Sequence, residues 1–499
     1  MAFRVLCAFG WLASLAAAQV LTSQYDNART GSTIHETTLT PANVNARQFG
    51  KTLSFPVDGD VYAQPLFVPQ VPVPGKGTHD AIFIATEHNS VYAFDAAAQP
   101  ADPLWHVNFP GGAVPAAYTG CRFIAPEIGI TPTPAIDIAT GTIYVLARTR
   151  ESGRFVQRLH AMAITTGVEK FGGPVEIPAS GGFDPLRELP RAGLLLVNGS
   201  VVITWGSSCD AGPYHGWAMA YDAQTLARKA VLNTSPQAGE SGIWQGDMAP
   251  AADEDGNIYV ATGNGRFTAA QGGRDYGDSL LKLDAALQVR DFFTPFNEHE
   301  LNADDEDLGS GGPLVLPKQP GPHSHLVLID GKDGAMYVID RDRMGGYHAG
   351  DDSHAVQRIR FRGGIYSAPA YWNGHVFYLA TGDYLTDFPL AGGQLGKPRL
   401  GAKRFGNPGA TPAISSNGTR NGIVWLIETK AWNGADRPAV LHAYDAADVE
   451  REIYNSEIDS ARDRPGKTLR FTVPTVARGR VYVEAKGEVD VYGLLPVVQ

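Results

Sequence analysis

The sequence predicts an all-β fold, a single eight-bladed β-propeller closed into a ring by an N-terminal strand. Three observations predict it. A short motif of alternating apolar residues, usually ending in Asp-Ala or Asp-Arg, recurs along the chain. A run of small residues with a proline recurs upstream of it. The last copy of the repeat is one strand short, and a stretch near the N-terminus can supply the missing strand.

The first motif reads VYAFDA at Val91 to Ala96, LHAMAI at Leu159, WAMAYDA at Trp217 and SLLKLDA at Ser279. It returns as MYVIDR at Met336, LHAYDA at Leu441 and VDVYGL at Val489. One gap, from Asp340 to Asp445, is about twice as long as the others, so a unit is hidden inside it and the total becomes eight. Runs such as DAIFIATEHNSVYAFDA and HVFYLATGDYL supply the middle strands, broken by Gly, Asn and Asp turns. The small-residue runs YAQPLFV, ITPTPAID, DMAPAAD, SGGPLVL, YSAPAYW and GATPAIS suit strands crowded around a central axis. The final unit, from Leu469 to Leu494, holds three strands, and GKTLSFPV at Gly50 to Val57 is the expected fourth, which removes an exposed sheet edge.

Composition narrows the function classes. Among 499 residues, 57 glycines and 34 prolines favour turns over long helices, and 43% hydrophobic residues suffice for a large core. A formal charge of −11 with no basic cluster argues against nucleic acid or an anionic membrane as partner. Residues 1–18 read as a signal peptide: Arg4, an apolar stretch from Val5 to Leu15, then Ala16 and Ala18 before Gln19. Residues 19–499 then form one exported domain, periplasmic or secreted, with no later segment apolar enough to span a membrane. Cys121 and Cys209 remain, as a disulfide or as two buried thiols.

Chemistry concentrates in NADDEDLGSGGPL (Asn302 to Leu314), where Asp304, Asp305, Glu306 and Asp307 precede glycines and an apolar run. A solvated loop, a calcium site and a catalytic base all explain such acids. If the segment is extended, Asp305 and Asp307 share one side and Asp304 and Glu306 the other. The stretches YDNARTG, LTPANV, FPVDGDVYAQPLFVP, ATEHNSVYAFDA, RAGLLLVNG, GPYHGW, ATGNGRF and GGRDYGDS run through most of the chain. With the repeat, they resemble a family of exported bacterial pyrroloquinoline quinone-repeat propellers, similar to the quinoprotein alcohol dehydrogenases. That resemblance implies calcium bound by Asn264 beside the quinone, Asp307 as catalytic base, Lys332 on the quinone oxygens and Trp244 stacked under its ring. Asp307 and Asp210 join Asn264 as candidate metal ligands. Calcium takes oxygen donors, and a carboxylate removes the alcohol proton as hydride moves to the quinone.

Departures from that pattern leave other readings open. Ala211 stands where the pattern has a calcium-binding glutamate, with the shorter Asp210 beside it. The adjacent cysteine pair that normally lies over the quinone is missing, and no Cys-x-x-Cys-His attaches a haem, so an electron acceptor is a separate partner. Structural alternatives also exist: a turn at Asn264, a hairpin-turn lysine at Lys332, a packing tryptophan at Trp244. His323 and His325 read as loop residues. The competing functions are a calcium-dependent quinoprotein oxidising an alcohol or sugar, and a non-catalytic propeller binding a protein or glycan at one face. A third is a carbohydrate-cleaving site built from Asp307 with Asp304 or Asp247.

Overall fold

The computed structural model describes residues 19–99, 101–429 and 437–496, with the side chain of Asp247 outside the description. The expected signal segment also falls outside the described residues. Eight sheets follow one another as propeller blades. In chain order their inner strands are Leu66–Val73, Ala135–Asp137, Leu195–Val197, Ala251–Ala252, Leu314–Val315, Ala370–Trp372, Ala413–Asn417 and Thr475–Ala477. The hidden unit is blade 6, with Ala370–Trp372, His375–Tyr378, Tyr384–Ala391 and Arg399–Arg404. The described residues hold two short α-helices, Glu298–Asp304 and Ser460–Asp463.

The repeated aspartate is a turn device. Asp95 Oδ1 accepts the Ala97 N–H at 2.9 Å, and Asp222, Asp284, Asp340 and Asp445 accept the N–H two residues on in the same way. This fixes the turn between the third and fourth strands of blades 1, 3, 4, 5 and 7. The core is divided into layers between neighbouring blades. Leu328 and Met336 of blade 5 pack with Val376 and Tyr378 of blade 6, and Tyr144 and Leu146 of blade 2 pack with Val201 and Trp205 of blade 3.

Closure uses the expected strand and more. Phe49–Asp60 pairs antiparallel with Arg480–Leu494 of blade 8. A register shift between Lys51 and Leu53 turns the strand over, so Phe49 enters the layer with Trp425 and Tyr454 while Phe55 enters the layer with Phe94. The segment before it, 20–36, visits every blade in order. Val20 bonds Phe67 of blade 1, Leu21 O accepts from Ile136 of blade 2, and the Asn27 amide donates to Leu196 O of blade 3. Asn27, Ala28, Thr30 and Gly31 carbonyls accept from Ala252, Val315, Tyr371 and Ile414 of blades 4 to 7. Glu36 accepts the Gly479 N–H of blade 8 at 2.8 Å. YDNARTG is therefore a structural belt. Its glycine is required: a Cβ on Gly31 (φ +66) would lie 2.9 Å from Ala370 Cβ.

Candidate active site

Loops leading into the inner strands surround a cavity of about 290 Å³ at one face of the ring. The belt bonds to those strands a few residues further on, so it fills the channel beneath. Trp244, Asp210, Asp307, Lys332, Arg191 and Arg470 are among the walls, together with the disulfide. Trp244 lies on a bed of glycines. A Cβ on Gly206 would meet its ring at 3.1 Å, on Gly242 at 3.1 Å and on Gly263 at 2.9 Å. Bare backbone behind the indole presents it flat to the cavity, and its Nε1 is buried without a hydrogen-bond partner. Trp244 is a cavity wall that also packs between Gly206 of blade 3 and Gly263 of blade 4.

The acidic stretch is not extended, which corrects the strand expectation. It is the end of the helix Glu298–Asp304, which terminates at Asp305 in the left-handed conformation (φ +57) that aspartate tolerates. Asp304, Asp305 and Glu306 are exposed and Asp307 is buried. Asp305 and Asp307 nonetheless share a partner: the Lys332 ammonium reaches Asp305 Oδ1 at 2.9 Å and pairs with Asp307 Oδ2. Asn264 stands behind them and is not a cavity wall. Its backbone N–H donates to Asp307 Oδ1 and its side-chain amide to Asp305 Oδ1, each at 2.7 Å. Burial pushes the Asp307 carboxyl up to about 6, against the opposing pull of Lys332. The carboxylate therefore changes charge just below neutrality.

Asp210 sits on the same wall with its Oδ1 accepting the Tyr214 hydroxyl at 2.7 Å, and burial raises its pKa. Cys209, Asp210, Asp305 and Phe471, all cavity residues, adopt positive φ. Left-handed backbone at a bulky residue such as Phe471 costs on the order of 1 kcal/mol or more and gathers at functional sites. His323 and His325 pair with Asp340 and Asp342 and line no part of this cavity. The Asp247 side chain lies outside the described residues.

Cys121 and Cys209 form a disulfide with Cα atoms 5.5 Å apart, tying the loop between blades 1 and 2 to the end of a blade 3 strand at the cavity wall. With a sequence separation of 88 residues, the bridge should contribute roughly 2–4 kcal/mol, and Cys121→Ala/Cys209→Ala should lose that much in denaturant titration. Two titratable thiols in the denatured, unreduced wild type would contradict the bridge. Sequence reasoning passed over Arg191, Arg470, Phe123, Tyr366 and Phe471. The signal was present, since PRAG and LRFTVP stand directly before inner-strand runs, where loops of this face belong.

No protein-family model matches the sequence, and comparison with curated proteins finds no match. Among solved structures, the quinohemoprotein alcohol dehydrogenase from Comamonas testosteroni superposes with TM-score 0.66 at 17% identity, over 96% of this chain and 81% of that one. This chain has the quinohemoprotein alcohol dehydrogenase fold. A second such enzyme, from Pseudomonas putida, gives TM-score 0.66 at 14% identity, over 98% of this chain and 82% of that one. A europium-containing methanol dehydrogenase gives 0.53 at 13%, over 96% and 98%. At these identities the likeness is one of fold. No described helix is long and apolar enough to cross a membrane.

Proposed function

We propose that the protein is an exported oxidoreductase that oxidises an alcohol or sugar with pyrroloquinoline quinone held in the cavity. One observation carries this reading. Trp244, Asp307 and Lys332, taken from the quinoprotein pattern, and Asp210, which stands one position before the pattern's glutamate site at Ala211, come from blades 3 to 5 and the loops between them, and all line one cavity.

The walls fit a planar tricarboxylate. Trp244 offers a flat ring, and Arg191, Arg470 and Lys332 supply positive charge. The indole N–H and the hydroxyls of Ser207 and Ser208 are buried without partners. When bound, the quinone would supply a two-electron acceptor. The chain's own work is proton handling: ionised Asp307 takes the hydroxyl proton of the substrate, and Lys332 holds that carboxylate in place. Ile124, Ile128 and Leu189, apolar cavity residues, pack together with Tyr62 and Leu469 and limit water at the walls.

Calcium does not fit this donor set. It takes six to eight oxygens, and Asn264 Oδ1, buried without a hydrogen-bond partner, is a single open donor. Both Asp307 oxygens already have partners, and among the described residues no three His, Cys, Asp or Glu gather as a metal group. The Lys332 ammonium supplies the local positive charge instead. The test is to incubate purified protein with the quinone, with calcium or with chelator, and measure retained absorbance and dye-linked alcohol oxidation. Retention in chelator is expected. Retention only with stoichiometric calcium would restore a metal role for Asn264, Asp307 and Asp210. Absence of retention under both conditions would leave the face as a protein or glycan binder, a reading favoured by the exposed ring of Phe123 in the cavity wall.

A further inference from the structure

The stretch GGRDYGDS supplies no wall of the cavity, but Asp278 within it touches both segments that hold Asp307. Asp278 precedes the third strand of blade 4, Leu280–Leu283, and is fully buried. The Asp278 backbone N–H donates to Gly263 O at 2.9 Å. Gly263 leads into Asn264, whose own N–H donates to Asp307 Oδ1. On the other side, Asp278 Oδ1 accepts the Leu308 N–H, also at 2.9 Å. The peptide unit that follows Asp307 is therefore pinned at both ends, because its carbonyl, Asp307 O, accepts the Lys332 N–H at 3.0 Å. This junction has no slack. A Cβ on Gly263 would lie 2.1 Å from Asp307 Oδ1, and Asp278 is held in the left-handed region at φ +43.

We infer that Asp278 is a positioning residue for Asp307: it grips the peptide after the base and the turn at Asn264 together, through hydrogen bonds and not through charge. The effect on rate rests on the dehydrogenase reading above; the effect on geometry stands apart from it. Asp278 Oδ2 is buried without a hydrogen-bond partner, so the carboxyl meets a single N–H. One neutral donor is too little to hold a buried charge. Burial first, and then the neighbouring charge of Asp307, raises the Asp278 pKa well above the ordinary carboxylate range. Two acids thus stand at one junction with different duties. Asp307, paired with Lys332, carries the charge, and Asp278 stays neutral and keeps it in place.

Three variants of the full chain test this, each read by crystal structure and by dye-linked oxidation with added quinone. Asp278→Ala removes the acceptor for the Leu308 N–H, and Asp278→Ser offers a hydroxyl too short to replace it. Either should displace the Asp307 carboxylate by about 0.5 Å or more, the tolerance of a catalytic constellation. In both, kcat should fall about 10-fold to 10²-fold with little change in KM, the cost of a small misplacement. Asp278→Asn keeps the acceptor, so it should rescue both the position of Asp307 and most of the rate. Its rate profile should also keep the wild-type midpoint at about 6, because no charge has been removed. A lower midpoint in Asp278→Asn would reveal a charged Asp278 and overturn the neutral grip. An unmoved Asp307 in Asp278→Ala would overturn the positioning role. So would an asparagine variant as displaced as the alanine one, and this outcome decides even where the alanine and serine variants do not fold. A displaced Asp307 in a protein that oxidises nothing would uphold the positioning role and sink the dehydrogenase reading. Turnover in Asp278→Ala equal to wild type would do the reverse.

Discussion

Asp307→Asn is expected to lower dye-linked oxidation by about 10²–10⁴-fold, the usual contribution of a positioned general base, with little change in melting temperature. The amide keeps the shape and still accepts the Asn264 N–H through its oxygen, while Lys332 keeps its second partner, Asp305. The proton-accepting charge is lost, and with it the ion pair between Asp307 Oδ2 and Lys332. The pH dependence gives an independent sign. The Asp307 pKa, at about 6, lies above its ordinary value because burial disfavours the charged form. The base is active when ionised, so kcat/KM in the wild type should rise with pH through about 6 and level off above it. Asp307→Asn should leave a small residual rate without that rise. Asp305→Asn and Asp304→Asn should stay near wild type, because both side chains are exposed and water replaces their partners. Equal losses in all three variants would mean that the stretch is structural. A wild-type profile flat from pH 5 to 8 would remove Asp307 as the base.

Much of the ring was legible because it is repetitive. A turn aspartate in five blades and a small-residue run before six inner strands leave a periodic mark, and even the unit inside the long gap follows from spacing. Two residues drawn from motifs reach the cavity for the same reason: Trp244 and Asp307 each stand seven residues before an inner strand, while Lys332 comes from the turn between the second and third strands of blade 5. What failed was local. Asp305 ends a helix that no periodicity announces in seven residues, so the side-by-side placement of Asp305 and Asp307 comes from a left-handed turn and a shared lysine. Asn264 fits a turn and a ligand equally well in sequence, and its distance from the cavity depends on how the loop packs behind Asp307. Arg191 and Arg470 carry no motif. Their one signal is position, directly before inner-strand runs, and the aromatic ring on the face of each comes from a loop distant in sequence.

Deletion of residues 19–58 is expected to prevent accumulation of soluble, folded protein, because it removes the belt and the closing strand together. Three losses coincide. The edge from 486 to 494 in blade 8 is left unpaired, an exposed strand that invites association. Phe49 and Phe55, both fully buried, leave two inter-blade layers open, and loss of a buried phenylalanine costs about 3–5 kcal/mol. Inner-strand N–H groups of Ile136, Ala252, Val315, Tyr371 and Ile414 lose their acceptors inside the channel. A graded pair of variants separates these terms. Phe55→Ala should fold and unfold cooperatively with a loss in that range, because the belt remains. Arg29→Ala should also be costly, since the fully buried guanidinium bonds Pro250 O at 2.8 Å and Ser23 O at 2.8 Å, coupling the belt to blade 4. A truncation with an unchanged melting temperature would show that blades 1 and 8 close without the arm. The belt would then be an accessory to a ring that its inter-blade layers already hold.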